Sequence, residues 1–471
     1  MIRVRLVYRR EDYLNDVQDI PRAFSPYLIV DDNAEHFLQW EYSYINGIFE
    51  LDIFGDIFEK RNYSFNVSDK DFSEYKRETR RFIKTSLYDF LSEVLQIKLP
   101  YGSLTGVRPT KLYYELSEKI EYPISELVKN YGVSPEKADL IANCVKNQKD
   151  YINREEKNIG FFINIPFCPT KCKYCSFIST EVFRVKDKLD FYVDCVKKEI
   201  ETAFEIIDKC GYKIRSVYVG GGTPTSIGTS KLKSILSPVV GVADEFTVEA
   251  GRPDSITEEV AEVLKELGVT RVSVNPQTFS DDTLARIGRN HTVDDFYRAY
   301  ELMKKRGFDI NADLIAGLPG ETQEIFENSV NSCIALNPAN ITVHTLSLKR
   351  GSDFTLSGMS KSEYGVAGNM IDYAHNALSA AGYAPYYMYR QKNMADNLEN
   401  TGYTLPQKQC VYNIDMMEEA ATIIGVGAGA MTKLVKDGRI ERLSDPKGFR
   451  EYCERNEEVC IKKSRFFGFN A

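Results

Sequence analysis

Three cysteines follow a short apolar run in the stretch FFINIPFCPTKCKYCSF, residues 161–177. Cys168, Cys172 and Cys175 are spaced so that one short loop carries three thiolates. Three thiolates on a 4Fe–4S cube leave one iron open to a substrate or cofactor. A zinc site needs paired C-x2-C hooks or two cysteines with two histidines, and no second hook lies nearby. The spacing therefore predicts a cluster with an open iron, and the alternative is a chance grouping of structural cysteines.

The surrounding pattern I-P-F-C-P-x-K-C-x-Y-C resembles the radical S-adenosylmethionine (SAM) superfamily. Within that superfamily it is similar to the oxygen-independent coproporphyrinogen III oxidases and their haem-chaperone relatives. The resemblance implies a 4Fe–4S cluster on Cys168, Cys172 and Cys175, with SAM on the open iron. One electron from the cluster then splits SAM into methionine and a 5′-deoxyadenosyl radical. The cofactor supplies the reactive chemistry, and the protein must orient and shield it.

The elements that position this loop follow a regular alternation. Strands are predicted at 161–166, 214–219, 245–250, 271–276, 309–315 and 340–346, with helices at 187–210, 229–237, 257–267, 281–306 and 322–336. Such alternation predicts an α/β fold with a parallel sheet and outer helices. Six units resemble the partial (β/α)6 barrel of radical SAM enzymes. Residues that follow the strands of such a barrel point into one common mouth.

Four of the predicted strands end in motifs that match the family. The second is followed by VGGGTPTS (219–226), which alone could be a tight turn but resembles the GGGTP motif that holds the SAM amino group. Resemblance assigns these residues to SAM contacts: Tyr174, Gly221 and Glu249 to the molecule on the cluster, and Gly222, Thr223, Gln277, Arg289 and Asp313 to a second SAM molecule.

Two segments flank the predicted barrel. Residues 1–155 are predicted to be an α+β domain of unknown role, residues 156–350 the radical SAM core, and residues 351–471 a family-specific C-terminal extension. The first domain is expected to pack a small antiparallel sheet on a helix between Asp71 and Leu99. Its segment LTGVRPTK (104–111) resembles the HemZ-type branch of the family. Arg108 and Lys111 there mark either an anion-binding loop or a solvated helix entrance.

The C-terminal extension contains the tyrosine-rich stretch PYYMYRQK, with Arg390 and Lys392. It suits a flat tetrapyrrole with carboxylates, or is a structural tyrosine cluster. Lys349 and Arg350 could likewise meet substrate carboxylates or form a solvated turn. His344 is predicted to be a core residue, and GVGAG (425–429) lacks the βαβ unit of a dinucleotide loop.

Composition excludes several classes of function. The net charge is −8, without the basic face that a general nucleic-acid binder requires. No apolar run approaches the ~18 residues needed to cross a bilayer. The N-terminus lacks a signal core, so a cytoplasmic protein is expected. Its ten cysteines then indicate metal binding or burial rather than disulfides.

The resemblance implies an oxidoreductase of haem (porphyrin) biosynthesis. The expected reaction is the oxygen-independent oxidative decarboxylation of coproporphyrinogen III to protoporphyrinogen IX, with flavodoxin or ferredoxin as electron donor. The alternative is a haem-binding trafficking protein that keeps the cluster without decarboxylase activity. Three departures favour the alternative: Phe162 and Asn164 replace the family tyrosine and histidine, and Phe177 replaces a further cysteine. The large N-terminal domain favours the enzyme.

Overall fold

The computed structural model divides the chain into two compact units, Met1–Ala142 and Asn143–Ala471. It describes residues 2–8, 17–67, 72–106, 108–153, 155–177, 179–347, 352–356, 365–391 and 394–469. Lys349, Arg350 and Lys392 lie outside the described residues. The three-part division expected from sequence stays a prediction.

The first unit contains a five-stranded sheet in the order β2-β1-β3-β4-β5. The bounds are β1 Ile2–Tyr8, β2 Leu28–Val30, β3 His36–Ile45, β4 Ile48–Gly55 and β5 Phe58–Asn66, with helices α1 Asp19–Ala23 and α2 Phe72–Leu95. Strands β3 to β5 form the expected antiparallel meander, but β1 is parallel to both β2 and β3. The expected small antiparallel sheet is therefore confirmed for β3 to β5, and β1 adds a parallel pairing because it lies far enough from β3 in sequence for a crossover. Helix α2 packs on the sheet, with Phe90 edge-on to Phe58 at 5.9 Å between ring centroids.

Three helices follow α2, and each begins with a proline: α3 Pro109–Ser117, α4 Pro123–Tyr131 and α5 Pro135–Gln148. Proline suits the first helical turn because its missing N–H would have no partner there. Arg108 precedes α3 in an extended conformation and lines a small pocket with Arg81 and Lys84. Arg81 is already paired with Glu115. The anion-binding role of this loop stays a prediction.

The second unit is built on six parallel strands, each at a position where the sequence predicts one. They are β6 Asn158–Ile165, β9 Lys213–Gly221, β10 Glu245–Glu249, β11 Arg271–Ser273, β12 Asp309–Ala316 and β13 Asn340–Thr345. Neighbours in this series pair in sequence order, which gives the partial barrel. Two short strands, β7 Phe167–Cys168 and β8 Thr180–Glu181, bracket the cysteine loop.

The outer helices of the barrel are α6 Leu189–Cys210, α7 Thr229–Leu236, α8 Glu258–Glu266, α9 Asp281–Arg286, α10 Val293–Lys305 and α11 Gln323–Leu336. Residues 281–306 were predicted to be one helix, and this was wrong. Gly288 breaks the helix with a φ of +76°, and Thr292 starts the next one in a capping box with Asp295. A threonine whose side chain accepts the N3 amide stabilises a new helix start at this point.

Residues after β13 extend the sheet at both edges. They contain helices α12 Asp353–Leu356, α13 Val366–Ala380, α14 Val411–Glu418, α15 Phe449–Glu454 and α16 Asn456–Phe466, and strands β14 Ala384–Tyr389, β15 Asn400–Thr404, β16 Ile423–Val426, β17 Met431–Lys436 and β18 Arg439–Ser444. Strand β15 is antiparallel to β13, whereas β16 is parallel to β6. Apart from β7 and β8, the described strands of the second unit thus form one eleven-stranded sheet. No helix in the described ranges is long and apolar enough to cross a membrane.

A buried polar cluster fastens the C-terminal helices to the barrel. Lys463 on α16 is fully buried and pairs with Glu199 on α6 and with Asp445. Glu199 also accepts hydrogen bonds from Tyr452 Oη at 2.6 Å and from the Gly427 amide at 2.8 Å. Gly427 lies in the GVGAG turn, which connects the antiparallel strands β16 and β17. The glycine-rich segment is therefore a hairpin turn and not a dinucleotide loop.

Candidate active site

One cavity of about 370 Å3 lies at the carboxyl ends of the parallel strands. It brings together all three cysteines of the loop, which are free thiols, and the sequence-predicted SAM contacts. The predicted residues in its lining are Cys168, Cys172, Tyr174, Cys175, Gly221, Gly222, Thr223, Glu249, Gln277, Arg289 and Asp313. Residues that are far apart in sequence thus share a single site.

Hydrogen-bond donors approach the sulfurs of Cys168 and Cys172. Thr223 Oγ1 lies 3.7 Å from Cys168 Sγ, and Arg252 Nη1 donates to Cys172 Sγ at 3.5 Å. Burial raises the pKa of Cys168, and it raises the pKa of Cys175 to about 11. Thiols with raised pKa values, such as those of Cys168 and Cys175, ionise readily only when a cationic metal group binds them. The soft donors and the N–H and O–H groups beside them suit an iron–sulfur cluster.

Across the described ranges, no group of three or more His, Cys, Asp or Glu side chains is arranged to hold a metal ion. Polar atoms in the cavity also lack partners: Asn275 Oδ1, Gln277 Oε1 and Arg289 Nε are buried without a hydrogen bond. Buried polar atoms are normally satisfied, so these atoms point to a polar ligand in the cavity. The site therefore fits a cluster together with a polar cofactor.

The glycine motif packs its backbone directly against the cysteine loop. The Gly222 amide donates to Ile165 O at 2.9 Å, and the Thr223 amide donates to Phe167 O at 2.6 Å. A Cβ atom at Gly222 would lie 2.4 Å from Phe167 O, and Gly221 has a φ of +109°. Both glycines are thus required by this packing, whether or not a ligand is bound.

Glu249 ends β10 beneath the glycine motif. Tyr218 Oη donates to Glu249 Oε1 at 2.6 Å. Burial raises the pKa of Glu249 to about 7; the Tyr218 hydrogen bond opposes this shift, and the nearby Asp313 charge adds to it. Asp313 in turn faces His344, with 3.6 Å between Oδ2 and Nε2. The cavity therefore contains two carboxyl groups, each beside a hydrogen-bond donor.

Arg289 connects three segments of the cavity wall. It donates to Tyr174 Oη at 3.2 Å, to Gly251 O at 2.8 Å and to Asn275 O at 2.9 Å. Gln277 has a φ of +67°, a strained value for a residue with a side chain. Its backbone is held by Asp313 O, which accepts from the Gln277 amide at 2.9 Å. Such strain persists where the surroundings over-determine a conformation, as they do at a binding site.

Tyr218, Arg252, Asn275 and His344 are among the cavity residues that were absent from the sequence-predicted site. His344 was predicted to be a core residue, but its side chain is 27% exposed and lines the cavity. Its position one residue before the end of β13 was the available signal, since side chains there reach the barrel mouth. Arg252 lies three residues beyond the end of β10, also near the barrel mouth.

The departures from the family pattern have local explanations. Phe162 lies 6.3 Å from Tyr218 and 6.0 Å from Tyr412 between ring centroids and is absent from the cavity lining. Asn164 donates to Ala428 O in the GVGAG turn. Phe177 is 69% exposed at the cavity edge. Phe162 therefore packs against two tyrosines, and Asn164 forms a hydrogen bond with the GVGAG turn.

Part of the tyrosine-rich segment reaches the cavity. Tyr387 and Tyr389 on β14 line it, together with Asn413 on α14. Tyr387 Oη lies 3.1 Å from Thr342 Oγ1. Arg390 instead donates to Asn397 O at 2.6 Å and is absent from the lining. The C-terminal residues therefore contribute one aromatic wall to the site.

This sheet topology, with three thiols at the mouth of the barrel, defines a radical SAM protein. The family model described as the radical SAM superfamily matches residues 163–333. The chain is 36% identical over 424 residues to the oxygen-independent coproporphyrinogen-III oxidase-like protein HemZ of Bacillus subtilis, across 86% of this chain and 83% of that protein. It is 31% identical over 329 residues to the heme chaperone HemW of Lactococcus lactis, across 66% of this chain and 79% of that protein.

Among solved structures, coproporphyrinogen III oxidase (HemN) of Escherichia coli has the same fold. The TM-score is 0.53 at 19% identity, and the match covers 66% of this chain and 72% of that one. The chain belongs to the radical SAM family that contains HemZ, HemW and HemN. Its cofactors are accordingly a 4Fe–4S cluster and SAM.

Proposed function

We propose that this protein catalyses the oxygen-independent oxidative decarboxylation of two propionate side chains of coproporphyrinogen III, giving protoporphyrinogen IX. The observation that carries the proposal is the single cavity in which three thiols, two carboxyl groups and an aromatic wall meet. The relative that matches 86% of the chain is named for its likeness to coproporphyrinogen oxidases. The proposal includes a cytoplasmic location and a flavodoxin or ferredoxin as electron donor.

In this proposal Cys168, Cys172 and Cys175 hold the cluster. When bound, the cluster and SAM supply a radical that removes a hydrogen from each propionate β-carbon, so that carbon dioxide leaves and an acceptor takes the remaining electron. Such a reactive species requires a site from which water is excluded during the reaction.

The remaining cavity residues bind and orient. Glu249 and Asp313 accept hydrogen bonds from polar groups of SAM, and Arg289 holds the wall that carries Gln277 and Tyr174. Tyr387 and Tyr389 offer flat apolar faces to a tetrapyrrole. The proposal includes a second SAM molecule beside Gly222 and Thr223.

A second candidate function is haem trafficking. It is favoured by the match to the heme chaperone HemW and by the absence of a cysteine at Phe177. That match covers 66% of the chain, whereas the HemZ match covers 86%. The larger shared length favours the enzyme.

The deciding experiment is anaerobic turnover of the reconstituted protein with SAM, a strong reductant and coproporphyrinogen III, followed by mass spectrometry. The proposal predicts loss of two carboxyl groups with formation of 5′-deoxyadenosine, and neither product with Cys172→Ala. Cys195→Ala is the matched control, because Cys195 is buried on α6 outside the cavity. Deoxyadenosine with unchanged porphyrinogen would refute the substrate. Stoichiometric haem binding without either product would establish the chaperone.

A further inference from the structure

Arg252 makes a contact that neither the sequence motifs nor the family assignment accounts for. It follows β10 by three residues, and only 4% of its surface is exposed. Its guanidinium donates from Nη1 to Cys172 Sγ at 3.5 Å. A buried cation beside a sulfur is costly unless it is also paired elsewhere. The other contacts of Arg252 therefore decide what this arrangement does.

Asp254 holds the guanidinium in one orientation. Arg252 Nε donates to Asp254 Oδ1 at 2.8 Å, and Nη2 donates to Oδ2 at 2.6 Å. This is the bidentate geometry in which arginine and carboxylate planes match. Both residues belong to one short turn, where the Ser255 amide donates to Arg252 O at 2.9 Å. The turn fixes Nη1 toward the cysteine loop without help from a ligand.

The same guanidinium also donates hydrogen bonds to Thr170 in the cysteine loop. Nη1 donates to Thr170 O at 3.2 Å, and Nη2 donates to Thr170 Oγ1 at 3.1 Å. Thr170 lies two residues before Cys172 in the loop. Arg252 therefore has two separable contacts with the loop, one to Thr170 and one to the sulfur of Cys172.

We infer that Arg252 is a positioning residue that sets the reduction potential of the cluster through its hydrogen bond to Cys172 Sγ. This inference rests on the proposed assignment of Cys172 as a cluster ligand. Reduction adds a negative charge to the cluster, and hydrogen bonds to its sulfurs stabilise the reduced form. The bond from Arg252 thus makes one-electron reduction easier. The turn after β10 thereby tunes the electron-accepting step from outside the ligand set.

The test is a redox titration of the reconstituted protein without substrate, followed by electron paramagnetic resonance. Arg252→Gln removes the charge-assisted bond, and we expect the reduction equilibrium to become about tenfold less favourable, a fall of ~59 mV for one electron. Thr170→Val is the matched control, since it removes the hydroxyl contact with Arg252 but leaves the sulfur contact. It is expected to retain the wild-type potential.

Arg252→Lys covers the case in which the Gln variant does not retain iron. A lysine ammonium cannot reproduce the fork that reaches Asp254 and Cys172 together, so its potential is also expected to fall. A variant of Arg252 with full iron content and the wild-type potential overturns the inference. A fall with Thr170→Val as well would overturn it too, because loop anchoring alone would then explain the effect. Since no porphyrinogen is present, failure of the proposed decarboxylation leaves this result unaffected.

Discussion

Tyr218 and Glu249, on two neighbouring strands, form a 2.6 Å hydrogen bond at the floor of the cavity. Tyr218 lies on β9 opposite Thr247 of β10, and Glu249 lies two residues beyond Thr247, on the same face of the sheet. The hydroxyl partly offsets the cost of burying this carboxyl group. Burial nevertheless dominates and raises the pKa of Glu249 to about 7.

This raised pKa makes stability depend on pH. The folded protein binds the Glu249 proton more tightly than the unfolded chain, so its stabilising effect is complete below the usual pKa of 4.5 and is lost as the pH rises through about 7. Glu249→Gln should therefore stabilise the protein at pH 8 relative to wild type, by up to about 3 kcal/mol. Urea unfolding at pH 5 and pH 8 measures the difference. Equal stability gains at both pH values would contradict the shift.

A matched control separates this effect from cofactor binding. Glu321 is also a buried carboxyl group whose pKa burial raises to about 7, but it lies outside the cavity and accepts from Thr278. We expect Glu321→Gln to show a similar pH-dependent gain and to leave SAM affinity unchanged. Glu249→Gln should weaken SAM binding. Unchanged SAM affinity in Glu249→Gln would exclude this residue as a contact.

The buried Lys463 predicts a large stability difference between two adjacent lysines. Lys463→Met leaves Glu199 and Asp445 buried without their cation, which we expect to cost about 3–5 kcal/mol. Lys462→Met removes an exposed pair with Glu458 and should cost no more than about 1 kcal/mol. Equilibrium unfolding in urea compares them. Similar losses for both variants would show that the buried cluster is not an ion pair.

Gly222 predicts a steric effect on the cysteine loop. Gly222→Ala places a Cβ atom against Phe167 O, and we expect a loss of about 1–3 kcal/mol together with lower iron content after reconstitution. Gly448→Ala is the control, because nothing lies within 4 Å of its added Cβ atom and its φ is −77°. Iron analysis and urea unfolding provide the readouts. Normal iron content in Gly222→Ala would mean that the two loops adjust independently.

His344 predicts a loss of activity without a loss of stability. His344→Phe removes the partner of Asp313 inside the cavity, and we expect kcat/KM for the porphyrinogen to fall at least about tenfold. His375→Phe is the control, since His375 contacts Tyr403 on the outer side of the sheet and is absent from the cavity lining. Wild-type turnover in His344→Phe would return this histidine to a purely structural role.

The barrel could be predicted from sequence because local patterns define its strands. The run Phe161 to Ile165 is apolar and is followed by proline, so its strand and its end are both readable. The site residues on the barrel strands, such as Glu249 at the end of β10 and Asp313 within β12, follow from the same geometry. The single helix predicted at 281–306 shows the limit of such local patterns. The helical pattern continues across Gly288, but the φ of +76° at Gly288 interrupts the helix.

Other features depend on contacts between distant residues. Arg252 looked like any charged residue after a strand, and only the fold brings it to Cys172. His344 was predicted to be a core residue because the strand around it, ITVHTL, is largely apolar in sequence. The pairing of β16 with β6 joins segments at opposite ends of the second unit, and no local pattern encodes such a partner.

The pairing of β16 with β6 also bears on when the cluster can be inserted during synthesis. Strand β6 carries the cysteine loop, yet one of its two neighbours, β16, is synthesised after all the other barrel strands. On the ribosome, the edge of β6 stays unpaired until residues 423–426 emerge, and Lys463 follows later still. Non-local pairing of this kind forms slowly. We therefore expect cluster insertion to follow the synthesis of residues 423–426.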